Sequence, residues 1–250
     1  MKRFFKGFVM TVGMFSILPV PPLWEDSLMR LMLPLLPLVG LVIGALWMAL
    51  AYLLEASALH PAMTAALVAV FPYVLTGFIH LDGYMDTSDA VLSRRPLEKR
   101  REILKDPHLG AFGAIMLAGL FLLAFAGAWA FIEGGENPLL LLLVPVVSRC
   151  GCGAATLALP PISNSGYAYT FQQTAGKQDK LVPVITAIAA GVTAFGLAGP
   201  LGAAVVLATA GGFCIAMGCA FRSMKGVSGD LAGFALTVAE LCGLWAAAIL

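Results

Sequence analysis

Long apolar segments, each close to the length of a bilayer-crossing helix, are the feature that most constrains this chain. A membrane-spanning helix needs roughly 20 apolar residues. The segments are residues 31–54, 62–79, 111–132, 138–159, 181–199, 201–221 and 230–250. Because only 12% of all residues are charged, the chain has too little polar surface to cover a soluble globule. This excludes an ordinary soluble enzyme, a nucleic-acid binder that works through basic patches, and a disordered protein.

The apolar segments predict an all-α fold, a polytopic membrane helix bundle of about six transmembrane helices. We expect one integral-membrane domain over residues 1–250. The stretch 4–24 is also apolar but ends in the sequence Pro19-Val-Pro-Pro22. We expect this stretch to form an N-terminal interfacial or re-entrant helix, with a full crossing as the alternative. No small-residue cleavage site follows it, which argues against a cleaved signal peptide.

The basic residues predict the orientation of the bundle. Fourteen of the 15 Lys and Arg residues fall in the connecting segments 1–30, 80–110, 160–180 and 222–229. The opposite connections carry acidic residues and no Lys or Arg. Because positively charged loops stay in the cytoplasm, we expect a multi-pass protein of the cytoplasmic (inner) membrane with its active site on the cytoplasmic side.

Three aspartates form the densest polar pattern in the sequence. Asp82, Asp86 and Asp89 are spaced i, i+4, i+7 and therefore lie on one face of a helix. Like charges placed in this way repel unless a cation lies against them, and Mg²⁺ favours carboxylates together with substrate phosphates. We predict that this stripe binds Mg²⁺. His80, two residues earlier, is a candidate ligand, phosphate contact or general base.

Other polar residues stand at or inside the apolar segments. Arg149 and Glu240 lie deep within them, and we hypothesise that they pair, since an unpaired charge at membrane depth is costly. Lys105 and Asp106 precede the segment that starts at residue 111 and resemble the rim of a site. Asp230 stands in the first turn of the last helix, where it also suits the helix dipole.

Three blocks of the sequence resemble those of the adenosylcobinamide-GDP ribazoletransferase family, the cobalamin synthases of corrinoid biosynthesis. The most specific of them lies over residues 80–89, and the other two follow it along the chain. A fourth part, Phe15 through Pro19 with Pro37-Leu-Val-Gly40-Leu-Val-Ile-Gly44, resembles the N-terminal part of the family, so that the four together cover nearly the whole chain in the same order. The blocks read His80-x-Asp82-Gly83-x-x-Asp86-x-x-Asp89, then Lys105-Asp106-x-x-x-Gly110-x-Phe112-Gly113, then Ser228-Gly229-Asp230-x-x-Gly233 with Glu240 seven residues on.

The resemblance implies a Mg²⁺-dependent transferase that joins adenosylcobinamide-GDP to α-ribazole, or to α-ribazole 5′-phosphate, and releases GMP. On this basis we expect Asp82, Asp86 and Asp89 to hold the metal, and either Asp89 or His80 to accept the proton of the attacking hydroxyl. The expected substrate-binding residues are Lys105, Asp106, Arg149, Lys225, Asp230 and Glu240. The other expected partner is the lipid bilayer; a homo-oligomer stays open, and no nucleic acid is expected.

Two other functions compete with this interpretation. A phosphotransferase that makes lipids from CDP-alcohols also uses aspartate-rich motifs at a membrane surface, but its signature has the glycine after the second Asp, whereas Gly83 follows the first. A cation or vitamin transporter would use the aspartates as an ion pathway. A transporter more often has internal repeats and access from both faces, and the sequence has neither an evident repeat nor long loops on the acidic side.

Overall fold

The computed structural model describes residues 2–250, and over these residues the chain is helical without a named β-strand. Single turns of 3₁₀-helix, Asp26–Leu28 and Pro138–Leu141, precede the helices that begin at Met29 and Val144. The helices are α1 (Lys2–Phe15), α2 (Met29–Glu55), α3 (Pro61–Leu75), α4 (Ile79–Leu92), α5 (Leu97–Ile103), α6 (Ala111–Glu133), α7 (Val144–Ala158), α8 (Gly166–Thr174), α9 (Leu181–Met224) and α10 (Gly229–Ile249). The predicted all-α class is confirmed.

Several helices are long and apolar enough to cross a membrane, which agrees with the predicted polytopic bundle. Within residues 2–250 they number five, or six when α3 and α4, bent by 91° at a short break, count as one span. The five are Asp26–Glu55, Ala111–Glu133, Pro138–Ala158, Leu181–Met224 and Gly229–Ile249.

The 44-residue element α9 is a helical hairpin rather than one continuous rod. Its backbone leaves the helical conformation at Ala198 and at Gly199, where φ is 61°. Such a positive φ is easily adopted only by glycine. The Val206 side chain lies beside Gly191, so the chain folds back on itself at this point. The two arms match the apolar segments predicted over 181–199 and 201–221.

The N-terminal helix α1 is too short to cross the bilayer. Its 14 residues rise about 21 Å, against a hydrocarbon core of about 30 Å. One side of α1 is buried against α2 and includes Met10 and Phe15, while Phe4 and Phe5 are exposed. The following residues, 16–25, are not helical. These features agree with the expected interfacial or re-entrant segment.

The segment predicted as one span over 62–79 is broken in the structure. Helix α3 ends at Leu75, and Gly77 and Phe78 adopt left-handed backbone conformations with φ of 59° and 62°. The amide of Ile17 donates a hydrogen bond of 2.9 Å to the Leu75 carbonyl, which partners an oxygen at the end of α3. The break redirects the chain so that α4 packs beside α10 and α6.

Helix α10 occupies the centre of the bundle and packs against α4, α6, α7 and α9. Glycines allow its neighbours to approach closely. A β-carbon on Gly212 of α9 would meet the Cys242 side chain, and one on Gly243 would meet Thr209 and Val144. The second half of α10 is therefore closely packed against α7 and α9.

Candidate functional site

The carboxylates of the predicted stripe lie at the end of the bundle where α10 begins. Gly83 of α4 packs on the backbone of Asp230, so closely that any side chain on Gly83 would collide with it. Deeper in the bundle, Thr237 Oγ1 donates a hydrogen bond of 3.3 Å to the His80 carbonyl. Helices α4 and α10 therefore run antiparallel, with Asp82 and Asp86 at the level of Asp230.

Four carboxylates gather at this end of the molecule. Helix α4 carries Asp82, Asp86 and Asp89 on one face. Asp86 lies close enough to Asp82, Asp89 and Asp230 to be repelled by all three negative charges. Asp82 is exposed and Asp86 is half-buried. The Asp230 carboxylate accepts a hydrogen bond of 3.2 Å from Ser228, the residue that caps α10. Such a concentration of negative charge favours a bound cation.

Asp89 has a different environment from the other two members of the stripe. It is buried, and its Oδ2 accepts a hydrogen bond of 3.0 Å from the backbone amide of Gly110, immediately before α6. A β-carbon on Gly110 or on Gly113 would collide with this carboxylate. The first turn of α6 thus surrounds the Asp89 side chain.

The carboxylates at this end suit a hard divalent ion whose remaining coordination positions are filled by substrate oxygens and water. Within residues 2–250, no three His, Cys, Asp or Glu side chains are grouped closely enough to enclose a metal by themselves. Mg²⁺ does not need such a cage, since it takes one or two carboxylates plus waters and substrate phosphates. Asp82 and Asp86, one turn apart on the same face of α4, could supply that pair. The Asp89 carboxylate already accepts a hydrogen bond from the Gly110 amide.

The structure does not bring His80 to the carboxylates. Two residues before Asp82, it lies on the opposite side of α4. Its ring is buried and stacks on Phe15, with ring centroids 6.2 Å apart and planes inclined by 13°. Its Nε2 atom has no hydrogen-bond partner within residues 2–250. His80 therefore belongs to the contact between α1, α4 and α10.

The hypothesised pair of Arg149 and Glu240 is confirmed. The guanidinium Nη1 donates to Glu240 Oε1 at 2.5 Å and to the Pro145 carbonyl at 3.1 Å, and Ser148 Oγ also donates to Glu240 Oε1. Both charged side chains are buried inside the bundle. The pair joins α7 to α10. Neither residue lies on a surface that substrate reaches in this conformation.

A cleft of about 250 Å³ opens beside Asp230, between the loop before α8, the start of α10 and the end of α5. Lys105, predicted as a rim residue, lines it, as do Arg101 and Tyr167, which the sequence analysis did not single out. Arg101 is one of six basic residues between positions 94 and 105, and nothing in the sequence marks Tyr167. A larger, open cavity of about 590 Å³ is lined by residues between Val9 and Trp24 and by none of the predicted site residues.

Asp106 and Lys225 are not among the cleft residues. Asp106 is exposed and accepts hydrogen bonds from the ring and the backbone amide of His108, at 2.7 and 3.0 Å, which lower the pKa of its carboxyl. Lys225 ends α9 in a left-handed conformation with φ of 55°, and its side chain is exposed. Its carbonyl accepts a hydrogen bond from Arg101.

Comparison with known proteins gives a consistent result. The family model described as Cobalamin-5-phosphate synthase matches residues 7–248. The chain is 32% identical to a protein of Clostridium botulinum (strain Alaska E43 / Type E3), covering 100% of this chain and 99% of the relative. It is 34% identical to a protein of Clostridium perfringens (strain 13 / Type A), covering 98% of each. Both relatives are named adenosylcobinamide-GDP ribazoletransferase. No solved structure matches the chain.

Proposed function

Since this chain belongs to the Cobalamin-5-phosphate synthase family, we propose that it is an adenosylcobinamide-GDP ribazoletransferase. It transfers the adenosylcobinamide phosphate group from the GDP-linked substrate to α-ribazole or α-ribazole 5′-phosphate. The observation that carries the proposal is the juxtaposition of Asp82 and Asp86 with Asp230 beside an open cleft. This arrangement suits a reaction in which charge develops on phosphate oxygens.

In the proposed reaction, a ribose hydroxyl oxygen attacks the phosphorus that carries the cobinamide group. A new P–O bond forms as the bond to the bridging pyrophosphate oxygen breaks, and GMP leaves with that electron pair. We assign Mg²⁺ binding to Asp82 and Asp86. When bound, the metal would neutralise charge on the transferred group and on the leaving GMP. Lys105 supplies a fixed positive charge at the cleft.

The proton of the attacking hydroxyl needs an acceptor near the cleft. Asp89 is held by the Gly110 amide, and His80 is buried on the far side of α4, so neither is well situated. We assign the proton to Asp230, which lines the cleft and lies next to α4 at Gly83. The Asp230→Asn variant should lower kcat by at least about a hundredfold while KM changes little.

We place the site on the cytoplasmic side of the inner membrane. The loops at the carboxylate end hold almost all basic residues, whereas the other end carries Glu55, Glu133 and Glu136. Substrates therefore approach from the cytoplasm. A transporter would instead need a route through the bundle, yet the buried Arg149–Glu240 pair lies between the carboxylates and the acidic end.

The deciding experiment uses the purified protein in detergent with adenosylcobinamide-GDP, α-ribazole and Mg²⁺. We expect cobalamin and GMP to form in equal amounts, formation to stop when a chelator removes the metal, and Mg²⁺ to restore it. Asp82→Asn should abolish turnover, and Glu98→Gln, an exposed acid on α5, serves as the matched control. Substrate flux into sealed vesicles without GMP release would refute the transferase and favour the transporter.

A further inference from the structure

We propose that the cleft beside Asp230 binds a nucleoside phosphate, with Tyr167 as the stacking surface for its base and Lys105 as the phosphate contact. This inference rests on the proposed function and adds to it the location of one substrate part. The cleft volume of about 250 Å³ is just below the usual range of small-molecule sites. Because the cleft is open at its mouth, part of a bound molecule can extend beyond it toward the carboxylates.

The aromatic wall of the cleft is built for stacking. Tyr167 stacks on the buried Phe171, with centroids 6.1 Å apart and planes inclined by 27°, and contacts Trp24 edge-on at 6.2 Å. These neighbours hold the ring in place, yet Tyr167 remains 55% exposed at the cleft. An immobilised aromatic ring that still presents surface suits a nucleobase, because every base offers a π-face.

Other residues that line the cleft are suited to a phosphate. Lys105 lines the cleft and pairs with no acidic side chain in residues 2–250. The N-termini of α8 and α10, at Gly166 and Gly229, also face this space, and helix N-termini favour anions. Asp230 lines the cleft, and its backbone lies against Gly83 of α4, next to Asp82. A nucleoside phosphate seated here would therefore place its phosphate at the carboxylate stripe.

The walls of the cleft are connected before any ligand arrives. The amide of Ile162 donates to the Val227 carbonyl at 3.0 Å, and the amide of Val227 donates to the Pro160 carbonyl at 2.8 Å. Arg101 braces the same region through hydrogen bonds of 2.8 and 3.1 Å to the Met224 carbonyl. The loop that leads into α8, and so to Tyr167, is thus fixed to the loop that leads into α10. Such pre-organisation reduces the entropy lost on binding.

Two molecules in the proposed reaction contain a nucleoside phosphate that this cleft suits. They are the donor, through its guanosine phosphate part, and α-ribazole 5′-phosphate. The test measures the affinity of purified protein in detergent for GMP and for α-ribazole 5′-phosphate separately, by calorimetry. Tyr167→Leu and Lys105→Gln should each weaken binding of the resident nucleotide about tenfold, and Tyr167→Phe should retain it. Tyr169→Leu, on the same helix outside the cleft, and Lys177→Gln are the matched controls.

The pattern of results separates this inference from the proposed function. Weaker binding of GMP alone assigns the cleft to the donor, and weaker binding of α-ribazole 5′-phosphate alone assigns it to the acceptor. If wild-type protein makes cobalamin but both variants bind both nucleotides and turn over like wild type, the cleft inference is wrong. If the variants weaken nucleotide binding but no cobalamin forms with wild type, the cleft stands and the transferase proposal fails.

Discussion

Asp89 accepts a hydrogen bond from the backbone amide of Gly110 at 3.0 Å, and this contact joins the carboxylate stripe on α4 to the start of α6. This contact distinguishes Asp89 from Asp82 and Asp86, although the three aspartates look equivalent in the sequence. Asp82 and Asp86 remain available to a cation, whereas Asp89 positions α4 against α6. The division follows from burial, since a buried carboxylate needs a hydrogen-bond donor and the N-terminus of a helix provides one.

Substitution of the three aspartates should therefore give two different outcomes. Asp82→Asn and Asp86→Asn should remove turnover while the thermal unfolding temperature stays that of wild type. Asp89→Ala should lower the free energy of unfolding by about 1–3 kcal/mol, because the Gly110 amide loses its partner. Thermal unfolding in detergent and GMP release measure the two effects. Equal unfolding temperatures for all three variants would contradict the assignment.

The space around Asp89 predicts a contrast between two glycines of the same helix. A methyl group on Gly113 would collide with the Asp89 carboxylate, whereas one on Gly119 would meet nothing within 4 Å. Gly113→Ala should cost about 1–3 kcal/mol of stability. Gly119→Ala should instead be neutral or stabilising by up to about 1 kcal/mol, since alanine favours helix over glycine. Comparable unfolding temperatures for the two variants would show that α6 moves freely relative to Asp89.

Gly83 offers a test of the geometry between α4 and α10. Any β-carbon there would press on the Asp230 backbone, so Gly83→Ala should separate Asp82 from Asp230. We expect turnover to fall at least about tenfold, because misplacement of catalytic groups by about 1 Å is costly. The Gly119→Ala protein is the control for helix propensity. Steady-state GMP release gives the measurement, and wild-type kinetics in Gly83→Ala would exclude a fixed contact as necessary for the reaction.

The fold was predictable where the thickness of the bilayer determines the length of the apolar segments. The apolar segments appear as helices, and the hairpin turn falls at Gly199, next to Pro200, as the sequence indicated. The break between α3 and α4 was not predictable in this way, because the apolar composition continues through residues 71–79 while the chain bends by 91° around Gly77 and Phe78. The hydropathy of a segment indicates whether lipid or water surrounds it, but it does not indicate the local backbone conformation.

The site was predictable only in part, for a related reason. Helical spacing alone places Asp82 and Asp86 on one face, and charge at membrane depth alone suggested that Arg149 and Glu240 pair. The position of Tyr167 depends on backbone hydrogen bonds between the loops around Pro160 and Val227, which no local pattern encodes. The metal role of the stripe stays a prediction.

The buried pair of Arg149 and Glu240 should stabilise the bundle as a unit. Removing one partner leaves the other charge buried and uncompensated, so Glu240→Leu and Arg149→Met should each cost about 3–5 kcal/mol. The double variant should recover most of that loss, because replacing both charges by apolar groups removes the desolvation penalty as well. Unfolding in detergent with a double-mutant cycle measures the coupling, and Glu98→Gln on the surface of α5 is the control. Additive losses in the double variant would show that the two side chains act independently.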